Sequence, residues 1–281
     1  MTRLPNLQDM LPKVECVMRA TGEYLLAVQH DVEAEGKSDG TLVSAADHEA
    51  ERRLREHLTA LFPGSYFRGE ESLWGSWPDY AWCWVVDPLD GTKEYLAGRQ
   101  GWGVSIALLH GATPMLAAIH LPGTNSTFTA IKGHGAHHDG KRLRVSPVAG
   151  LLVATTRMAP VVEALFERPV KPFYAAVLLC TEVARGNAAA YVSIGRSLDA
   201  WDVAAGQLII EEAGGCCTTS GGEVLTLNGA KSKVGDFVFS NGAIHDELLD
   251  NLQQHRANAH AHAASVALST GKRGAAFPSQ A

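Results

Sequence analysis

The sequence has few of the features that identify membrane, secreted or zinc-binding proteins at once. It has no apolar run long enough to span a membrane, and its first residues lack the apolar core of a secretory signal. Its five cysteines are odd in number, and the adjacent Cys216 and Cys217 fit neither a disulfide framework nor a zinc-binding spacing. We therefore expect a cytoplasmic protein with reduced thiols and no membrane partner.

Charged residues are also sparse, at 19% of the chain, and the net charge is −6. Because binding to DNA or RNA depends on Lys and Arg side chains that neutralise phosphates, this balance argues against a nucleic acid polymer as partner. An anionic small molecule would need cations at its binding site for the same reason. The hydrophobic fraction of 46% is typical of a globular protein, and 281 residues can form one large domain or two.

The first half of the chain has the pattern of an α+β unit. Apolar residues recur at steps of three and four from Leu7 to Val28, and again from a start near Ser44 to Leu61, which predicts two amphipathic helices. Short β-type runs separated by glycine-containing turns then fill residues 102–145 and predict an antiparallel meander. We therefore predict an N-terminal α+β part over residues 1–146.

After residue 147 the pattern alternates between β-type runs and helical periods, which predicts a C-terminal α/β part with a mixed sheet over residues 147–254. Its most regular helix covers residues 201–213 and ends at two glycines, as helices often do. A last helix is predicted at residues 245–253. Residues 255–281 are rich in Ala, Ser, His and Gly and have little to bury, so a disordered tail is predicted there.

An apolar run at residues 82–86 leads directly into the sequence Asp-Pro-Leu-Asp-Gly-Thr at residues 87–92. The run predicts a buried strand, which should stop at Pro88 because proline cannot donate to a sheet ladder. Asp87 and Asp90 would then lie in a loop at the end of the strand. Two acids there are a candidate cation site, and the Gly-Thr turn offers N–H groups to a phosphate. A capped turn with solvated aspartates is the alternative interpretation.

Other acids also lie beside element boundaries: Glu70 follows a short strand, and Asp202 begins the helix of residues 201–213. If both converge with Asp87 and Asp90, each pair of charges about 4 Å apart repels by roughly 4 kcal/mol at an effective dielectric near 20. Such a cluster either raises its pKa values or binds a hard cation such as Mg²⁺, Ca²⁺ or Mn²⁺. Taken singly, each acid also has a structural interpretation. Asp202, for example, suits a helix N-terminus, where a negative charge is stabilised.

These motifs taken together resemble the inositol monophosphatase family of Mg²⁺-dependent phosphatases. The matching segments are residues 37–47, Gly-Glu-Glu-Ser at 69–72, Asp-Pro-Leu-Asp-Gly-Thr at 87–92, Trp-Asp-Val-Ala-Ala-Gly at 201–206 and Glu-Ala-Gly-Gly at 212–215. The resemblance extends from about residue 37 to residue 242. It implies an αβαβα layered sandwich of the α+β or α/β class, often a homodimer, and sensitivity to Li⁺.

The resemblance also implies a set of metal ligands. Glu70, Asp87 and the backbone carbonyl of Leu89 would hold one ion, and Asp87, Asp90 and Asp202 would hold a second. Glu70 would also take part in catalysis through a weaker third ion. Two to three Mg²⁺ ions are therefore the expected cofactors, with Mn²⁺ as a substitute.

Further residues would act on the water and the phosphate. The resemblance implies that Asp47 and Thr92 orient the attacking metal-bound water, and that the N–H groups of Gly91 and Thr92 receive the phosphate. Such ions lower the pKa of water, neutralise phosphate charge and align an in-line attack, so no covalent phosphoenzyme is needed. Asp47 has a structural alternative, because it stands three residues after Ser44 in a helix-capping pattern.

Two segments depart from the pattern of family members that act on inositol phosphates. Gly195 replaces an acid, and Lys-Pro-Phe-Tyr-Ala-Ala at residues 171–176 replaces a Gly-Ser-Ala-type segment. Arg196 is the candidate substrate-binding residue there. The expected substrate is a small phosphorylated metabolite, an inositol phosphate or similar.

Three different functions compete with an inositol phosphatase. Asp-Gly-Thr-Lys-Glu-Tyr at residues 90–95 is more like the 3′(2′),5′-bisphosphate nucleotidase branch, which acts on adenosine 3′,5′-bisphosphate. A histidinol-phosphate phosphatase of the same fold is a second candidate. The third is not an enzyme but a catalytically weak phosphate-binding interaction module.

Overall fold

The computed structural model describes residues 5–36, 42–72, 78, 81–148, 150–195, 197–227 and 233–271. The helices are α1 Leu7–Val28, α2 Ala45–Leu61, α3 Thr92–Leu96, α4 Ala159–Phe166, α5 Ala176–Ala184, α6 Ala200–Glu212 and α7 His245–Gly271. The strands are β1 Ala34–Gly36, β2 Leu42–Ser44, β3 Tyr66–Gly69, β4 Trp82–Asp90, β5 Gly103–His110, β6 Thr113–Leu121, β7 Ser126–Ile131, β8 Gly135–His138, β9 Lys141–Arg142, β10 Leu152–Thr155, β11 Val170–Phe173, β12 Ala190–Ser193, β13 Leu198–Asp199, β14 Cys216–Thr219, β15 Lys233–Val234 and β16 Phe237–Ser240.

Two large sheets form the frame of the molecule. The first has the strand order β3-β4-β5-β6-β7-β8-β9, and its strands pair antiparallel except for the parallel pair of β3 and β4. The second has the order β11-β10-β12-β16-β14, with parallel pairs on one side and antiparallel pairs on the other. The antiparallel meander and the mixed sheet predicted from the sequence are both confirmed.

Helices separate and cover these sheets in five layers. Helices α1 and α2 pack on the outer face of the seven-stranded sheet, α5 and α6 lie between the two sheets, and α4 and α7 cover the five-stranded sheet. The predicted αβαβα sandwich is therefore confirmed. None of the helices in the described part of the chain combines the length and apolar composition needed to cross a bilayer.

The apolar patterns explain which helix occupies which layer. Helix α1 buries one stripe, including Val14, Met18 and Leu25, and leaves its other face to solvent, as expected of an outer helix. Helix α6 is buried nearly all round, from Trp201 to Ile210, because sheets and α5 surround it. Strand β5 is likewise buried along almost its whole length, since helices cover both of its faces.

Strand β4 differs from the prediction in a way that matters for the candidate site. The strand continues past Pro88 to Asp90, and its register with β5 shifts between Asp87 and Asp90. The expectation that the strand stops at Pro88 is therefore wrong. The missing N–H of proline is tolerated because it falls in this irregular stretch, where the ladder is already interrupted.

The last helix is longer than the sequence predicts. The sequence places it at residues 245–253 with a disordered tail from residue 255, whereas α7 continues to Gly271. Many of the residues from 255 to 271 are alanines, which have a high helix propensity. Residues 272–281 of the predicted tail lie outside the described residues.

Candidate active site

Asp87 and Asp90 lie together at the end of β4, and both are buried, at 1% and 9% exposure. In a regular strand, residues three positions apart point to opposite faces of the sheet. The register shift between them interrupts this alternation and lets the two carboxylates interact. The sequence prediction that these acids share one site is consistent with this geometry, although they belong to an irregular strand end rather than a loop.

Two other elements bring Glu70 and Asp202 to the same place. Strand β3 runs parallel to β4 with Gly69 opposite Val86, so Glu70 leaves the sheet beside Asp87. On the other side, the Ser105 hydroxyl donates to the carbonyl of Trp201 over 3.3 Å. Because Ser105 pairs with Asp87 in the sheet, this contact brings the first turn of α6 next to β4.

Two of these acids, Asp87 and Asp202, have pKa values that depend on the charges of the others. Burial raises the pKa of Asp87 well above its ordinary value of 3.8, and the charges of Glu70, Asp90 and Asp202 raise it further. The pKa of Asp202 is raised in the same direction, first by desolvation and then by the charge of Asp90, with a smaller effect of Glu70. The structure thus brings all four predicted acids within charge–charge range.

The arrangement is looser than a closed metal cage. Across the described residues, no three Asp, Glu, His or Cys side chains meet in the geometry of one ion site. The donor set is nevertheless one of oxygen atoms, which hard divalent cations such as Mg²⁺ prefer. Leu89, whose carbonyl is predicted as a further ligand, lies between the two aspartates, and its N–H donates to Asp87 Oδ1 over 3.0 Å.

Asp47 combines the two roles that the sequence leaves open. Its Oδ2 atom accepts hydrogen bonds from the N–H and the hydroxyl of Ser44, at 2.8 and 2.6 Å, and closes the capping box of α2. Its Oδ1 atom lies 3.1 Å from the Thr92 hydroxyl, which is also 3.2 Å from the carbonyl of Leu89. Capping and contact with the candidate site are therefore compatible, since they use different oxygen atoms.

The turn at Gly91 requires glycine. Its φ is 97°, and a Cβ atom there would lie 2.9 Å from the carbonyl oxygen of Gly101 and 3.1 Å from the Cβ of Ala175. Thr92 follows as the first residue of α3, and the first N–H groups of a helix have no partner within the helix. Beside the turn, the N–H of Val177 donates to Asp90 Oδ2 over 2.6 Å.

The segment that departs from the inositol-phosphate pattern lies next to this turn. Tyr174 is 50% exposed and directly precedes Ala175, which approaches Gly91. The Nζ atom of Lys93 lies 5.4 Å from the centre of the Tyr174 ring. Gly195 donates its N–H to Asp236 over 2.7 Å, whereas the predicted substrate residue Arg196 lies outside the described residues.

Sequence reasoning missed one acid in this region. Glu51 is only 2% exposed, and its carboxylate accepts hydrogen bonds from the N–H of Glu71 and the hydroxyl of Ser72. It lies one helical turn after Asp47 and beside the apolar positions Ala50 and Leu54. This position could have indicated a buried acid in the sequence, because a glutamate next to the buried stripe of a helix needs hydrogen-bond partners.

Comparison with known proteins places the chain in a class. The sequence model of the inositol monophosphatase family matches residues 12–257, so the chain belongs to this family, whose members are phosphatases, that is, phosphoric monoester hydrolases.

Its similarity extends over most of its length. The chain is 31% identical over 245 residues to a fructose-1,6-bisphosphatase/inositol-1-monophosphatase of Thermotoga maritima, covering 83% of this chain and 91% of the relative. It is 29% identical to the 3′(2′),5′-bisphosphate nucleotidase CysQ of Aggregatibacter actinomycetemcomitans, over 81% of this chain and 89% of the relative. The solved structure of an IMPase of Thermotoga maritima superposes with a TM-score of 0.74 at 28% identity, covering 85% and 94% of the two chains.

Proposed function

We propose that the protein is a Mg²⁺-dependent phosphomonoesterase that hydrolyses a small phosphorylated metabolite with an activated water molecule. The observation that carries this proposal is that the charges of neighbouring acids raise the pKa values of two buried carboxylates. Glu70, Asp90 and Asp202 act in this way on Asp87, and Asp90 and Glu70 act on Asp202. Charges of one sign that raise each other's pKa store unfavourable energy, which a divalent cation would relieve. A cluster of this kind next to a turn with available N–H groups suits a phosphate ester.

The residues present fit a divalent cation by their chemistry. Glu70, Asp87 and the carbonyl of Leu89 would hold one ion, and Asp87, Asp90 and Asp202 a second. Bound Mg²⁺, or Mn²⁺ in its place, would supply charge to neutralise the phosphate and would lower the pKa of water. The carboxylates themselves keep the site negative, so that it attracts the cation before the anionic substrate.

Asp47 and Thr92 would orient the attacking water. Two bonds from Ser44 fix the carboxylate of Asp47, which therefore has a set direction when it faces the Thr92 hydroxyl. A hydroxyl held in this way can bind a water molecule in one orientation, and Asp47 can receive a proton through it. The N–H groups of Gly91 and Thr92 would donate to the phosphate oxygens at the same turn.

A second candidate substrate class is favoured by Lys93 and Tyr174. An exposed aromatic ring with an ammonium group 5.4 Å from its centre offers a stacking face and a positive charge beside the phosphate turn. A nucleoside bisphosphate such as adenosine 3′,5′-bisphosphate has a matching base and a second phosphate. An inositol phosphate would use the charge but not the stacking face.

The test is a comparison of substrates. Phosphate release is measured with Mg²⁺, and again with a chelator, for inositol 1-phosphate, adenosine 3′,5′-bisphosphate, histidinol phosphate and fructose 1,6-bisphosphate. We expect Mg²⁺-dependent release from at least one of them. If phosphate release were the same with the chelator as with Mg²⁺, the metal dependence would be contradicted. No release from any would favour a phosphate-binding interaction module instead.

The resemblance also leads us to propose a homodimer that Li⁺ inhibits, and the free cysteines lead us to propose a cytoplasmic location. Light scattering on the purified protein should give twice the mass of one chain, and Li⁺ should lower phosphate release at constant ionic strength. A monomer, or inhibition no greater than that by Na⁺, would contradict these two proposals.

A further inference from the structure

Helix α2 places a second buried carboxylate beside the candidate site. Glu51 lies four residues after Asp47, so both side chains project from the same face of the helix. Asp47 contacts the Thr92 hydroxyl at the end of β4, whereas Glu51 contacts the segment that follows β3. One helix therefore reaches the two strand ends from which Glu70, Asp87 and Asp90 project.

Glu51 contacts the residues that lie on either side of Glu70 in the chain. Its Oε2 atom accepts the N–H of Glu71 over 2.7 Å, and its Oε1 atom accepts the hydroxyl of Ser72. The same carboxylate lies against Gly69, where a Cβ atom would collide with it. Glu51 is thus in contact with the residue before Glu70 and with the two residues after it.

Arg55 completes this arrangement. Its Nη2 atom donates to Glu51 Oε1 over 3.0 Å and to Ser72 Oγ over 2.8 Å. Because Glu51 is 2% exposed, its charge has left bulk water and depends on these donors for compensation. Contacts of this kind hold a carboxylate in one place, and the backbone around Glu70 is held with it.

We propose that Glu51 is a positioning residue that fixes the backbone around Glu70 and thereby sets the affinity of the site for divalent cations. The inference rests on the proposed function, since it takes Glu70 to be a metal ligand. The charge of Glu70 acts on Asp87, so a shift of the Glu70 backbone would move this carboxylate relative to the rest of the cluster. Groups that orient metal ligands typically change metal affinity or activity by about 10- to 100-fold when they are replaced.

The test uses Glu51→Gln with Glu56→Gln as the matched control. Glutamine keeps the size of the side chain but has one acceptor oxygen instead of two. If this oxygen takes the place of Oε1, the NH₂ group faces the N–H of Glu71, and if it takes the place of Oε2, the NH₂ group faces the donors from Ser72 and Arg55. Glu56 lies on the same helix and is exposed, with its carboxylate bonded to Arg52 at the surface. Binding of Mn²⁺ alone is measured by electron paramagnetic resonance, and the Mg²⁺ concentration for half-maximal phosphate release is measured in parallel.

We expect Glu51→Gln to weaken Mn²⁺ binding by roughly 10-fold or more and to raise the half-maximal Mg²⁺ concentration by a similar factor. The KM for the phosphate substrate at saturating Mg²⁺ should change little, and Glu56→Gln should match the wild type. A residue that only stabilised the fold would lower the melting temperature without changing the Mn²⁺ affinity. Unchanged Mn²⁺ affinity in folded Glu51→Gln would therefore overturn the inference.

Ser72→Ala provides a second, milder variant, because it removes one donor to Glu51 and leaves the carboxylate in place. It should weaken Mn²⁺ binding in the same direction by a smaller factor. If Glu51→Gln does not fold, unchanged Mn²⁺ affinity in Ser72→Ala overturns the inference. If the wild type neither binds Mn²⁺ nor releases phosphate, the proposed function fails first, and the inference fails with it.

Discussion

Asp87 is an acidic residue that is almost completely buried, although charged side chains usually lie at the surface. Its carboxylate accepts one backbone N–H, from Leu89, and its neighbours Glu70, Asp90 and Asp202 carry the same charge. The pKa of Asp87 is therefore raised well above 3.8, so the folded protein binds a proton there more tightly than the unfolded chain does. In the absence of a cation, this residue costs stability whenever it is ionised, which is typical of sites whose purpose is binding.

The sign of the pH effect follows from this shift. Because the folded pKa exceeds the unfolded one, the contribution of Asp87 to stability is complete below about pH 4 and is lost as the pH rises through the folded value. With a chelator present, Asp87→Asn should therefore increase the free energy of unfolding, and the increase should grow as the pH rises above about 4. Asparagine can still accept the N–H of Leu89. Urea unfolding of both proteins measures the difference, and a gain independent of pH would contradict the raised pKa.

Added Mg²⁺ should make the wild type more stable than Asp87→Asn. The wild type gains stability from a bound cation, and a ligand at 100 times its dissociation constant adds about 2.7 kcal/mol. Asp87→Asn lacks the negative charge of one proposed ligand and should gain much less. The melting temperature with and without Mg²⁺ measures the gain. Equal gains in both proteins would show that the cation binds elsewhere.

Lys93 is the exposed cation whose role is most open to test at this scale. If it binds a second anionic group of the substrate, Lys93→Ala should raise the KM for a bisphosphate by about 5- to 10-fold, equivalent to roughly 1 kcal/mol. The KM for a monophosphate should rise less. Lys132→Ala is the control, since Lys132 is also exposed but lies in the turn after β7. Equal effects on both substrates would assign Lys93 to general attraction of anions.

At the scale of elements, α5 and α6 determine how the acids meet. The first N–H groups of α5 include that of Val177, which donates to Asp90, and α6 carries Asp202 in its first turn. The two helices approach closely because Gly206 of α6 faces Cys180 of α5. The spacing between α5, which donates to Asp90, and α6, which carries Asp202, thus depends on this contact.

Gly206→Ala should therefore destabilise the protein. Alanine in a helix is otherwise favoured over glycine by about 1 kcal/mol, but here its Cβ would lie 2.6 Å from the Cβ of Cys180. Overpacking of this kind costs about 1–3 kcal/mol, so a net loss is expected in chemical unfolding. Gly235→Ala, where nothing lies within 4 Å of the added atom, is the control. A Gly206→Ala variant as stable as the wild type would show that the helices separate at little cost.

For the molecule as a whole, the sequence predicts those helices and strands whose pattern depends on residues close together in the chain. The amphipathic stripe of α1, the β-type runs of the meander and the glycine stop after α6 depend on neighbours in the chain. The acids Asp87 and Asp90 stand out because they interrupt an apolar run. Their convergence with Asp202, more than a hundred residues away, followed only from the family resemblance.

What could not be predicted depends on contacts between distant parts of the chain. In the sequence Glu51 is one more charge on α2, because its partners Glu71 and Ser72 are 20 and 21 residues away. The continuation of β4 through Pro88 depends on pairing with β5, which no local rule for proline includes. The extension of α7 past residue 254 was missed because its alanine-rich sequence has no apolar period.

The measurement that tests the account most directly is Mg²⁺-dependent phosphate release by Asp90→Asn. Asparagine keeps an oxygen that can accept the N–H of Val177, so the fold should persist, but the negative charge of one proposed metal ligand is lost. We expect release to fall by more than about 100-fold, with an unchanged circular dichroism spectrum. Asp250→Asn, an exposed acid on α7, should release phosphate at the wild-type rate. Full activity in Asp90→Asn would contradict the carboxylate-bound metal mechanism.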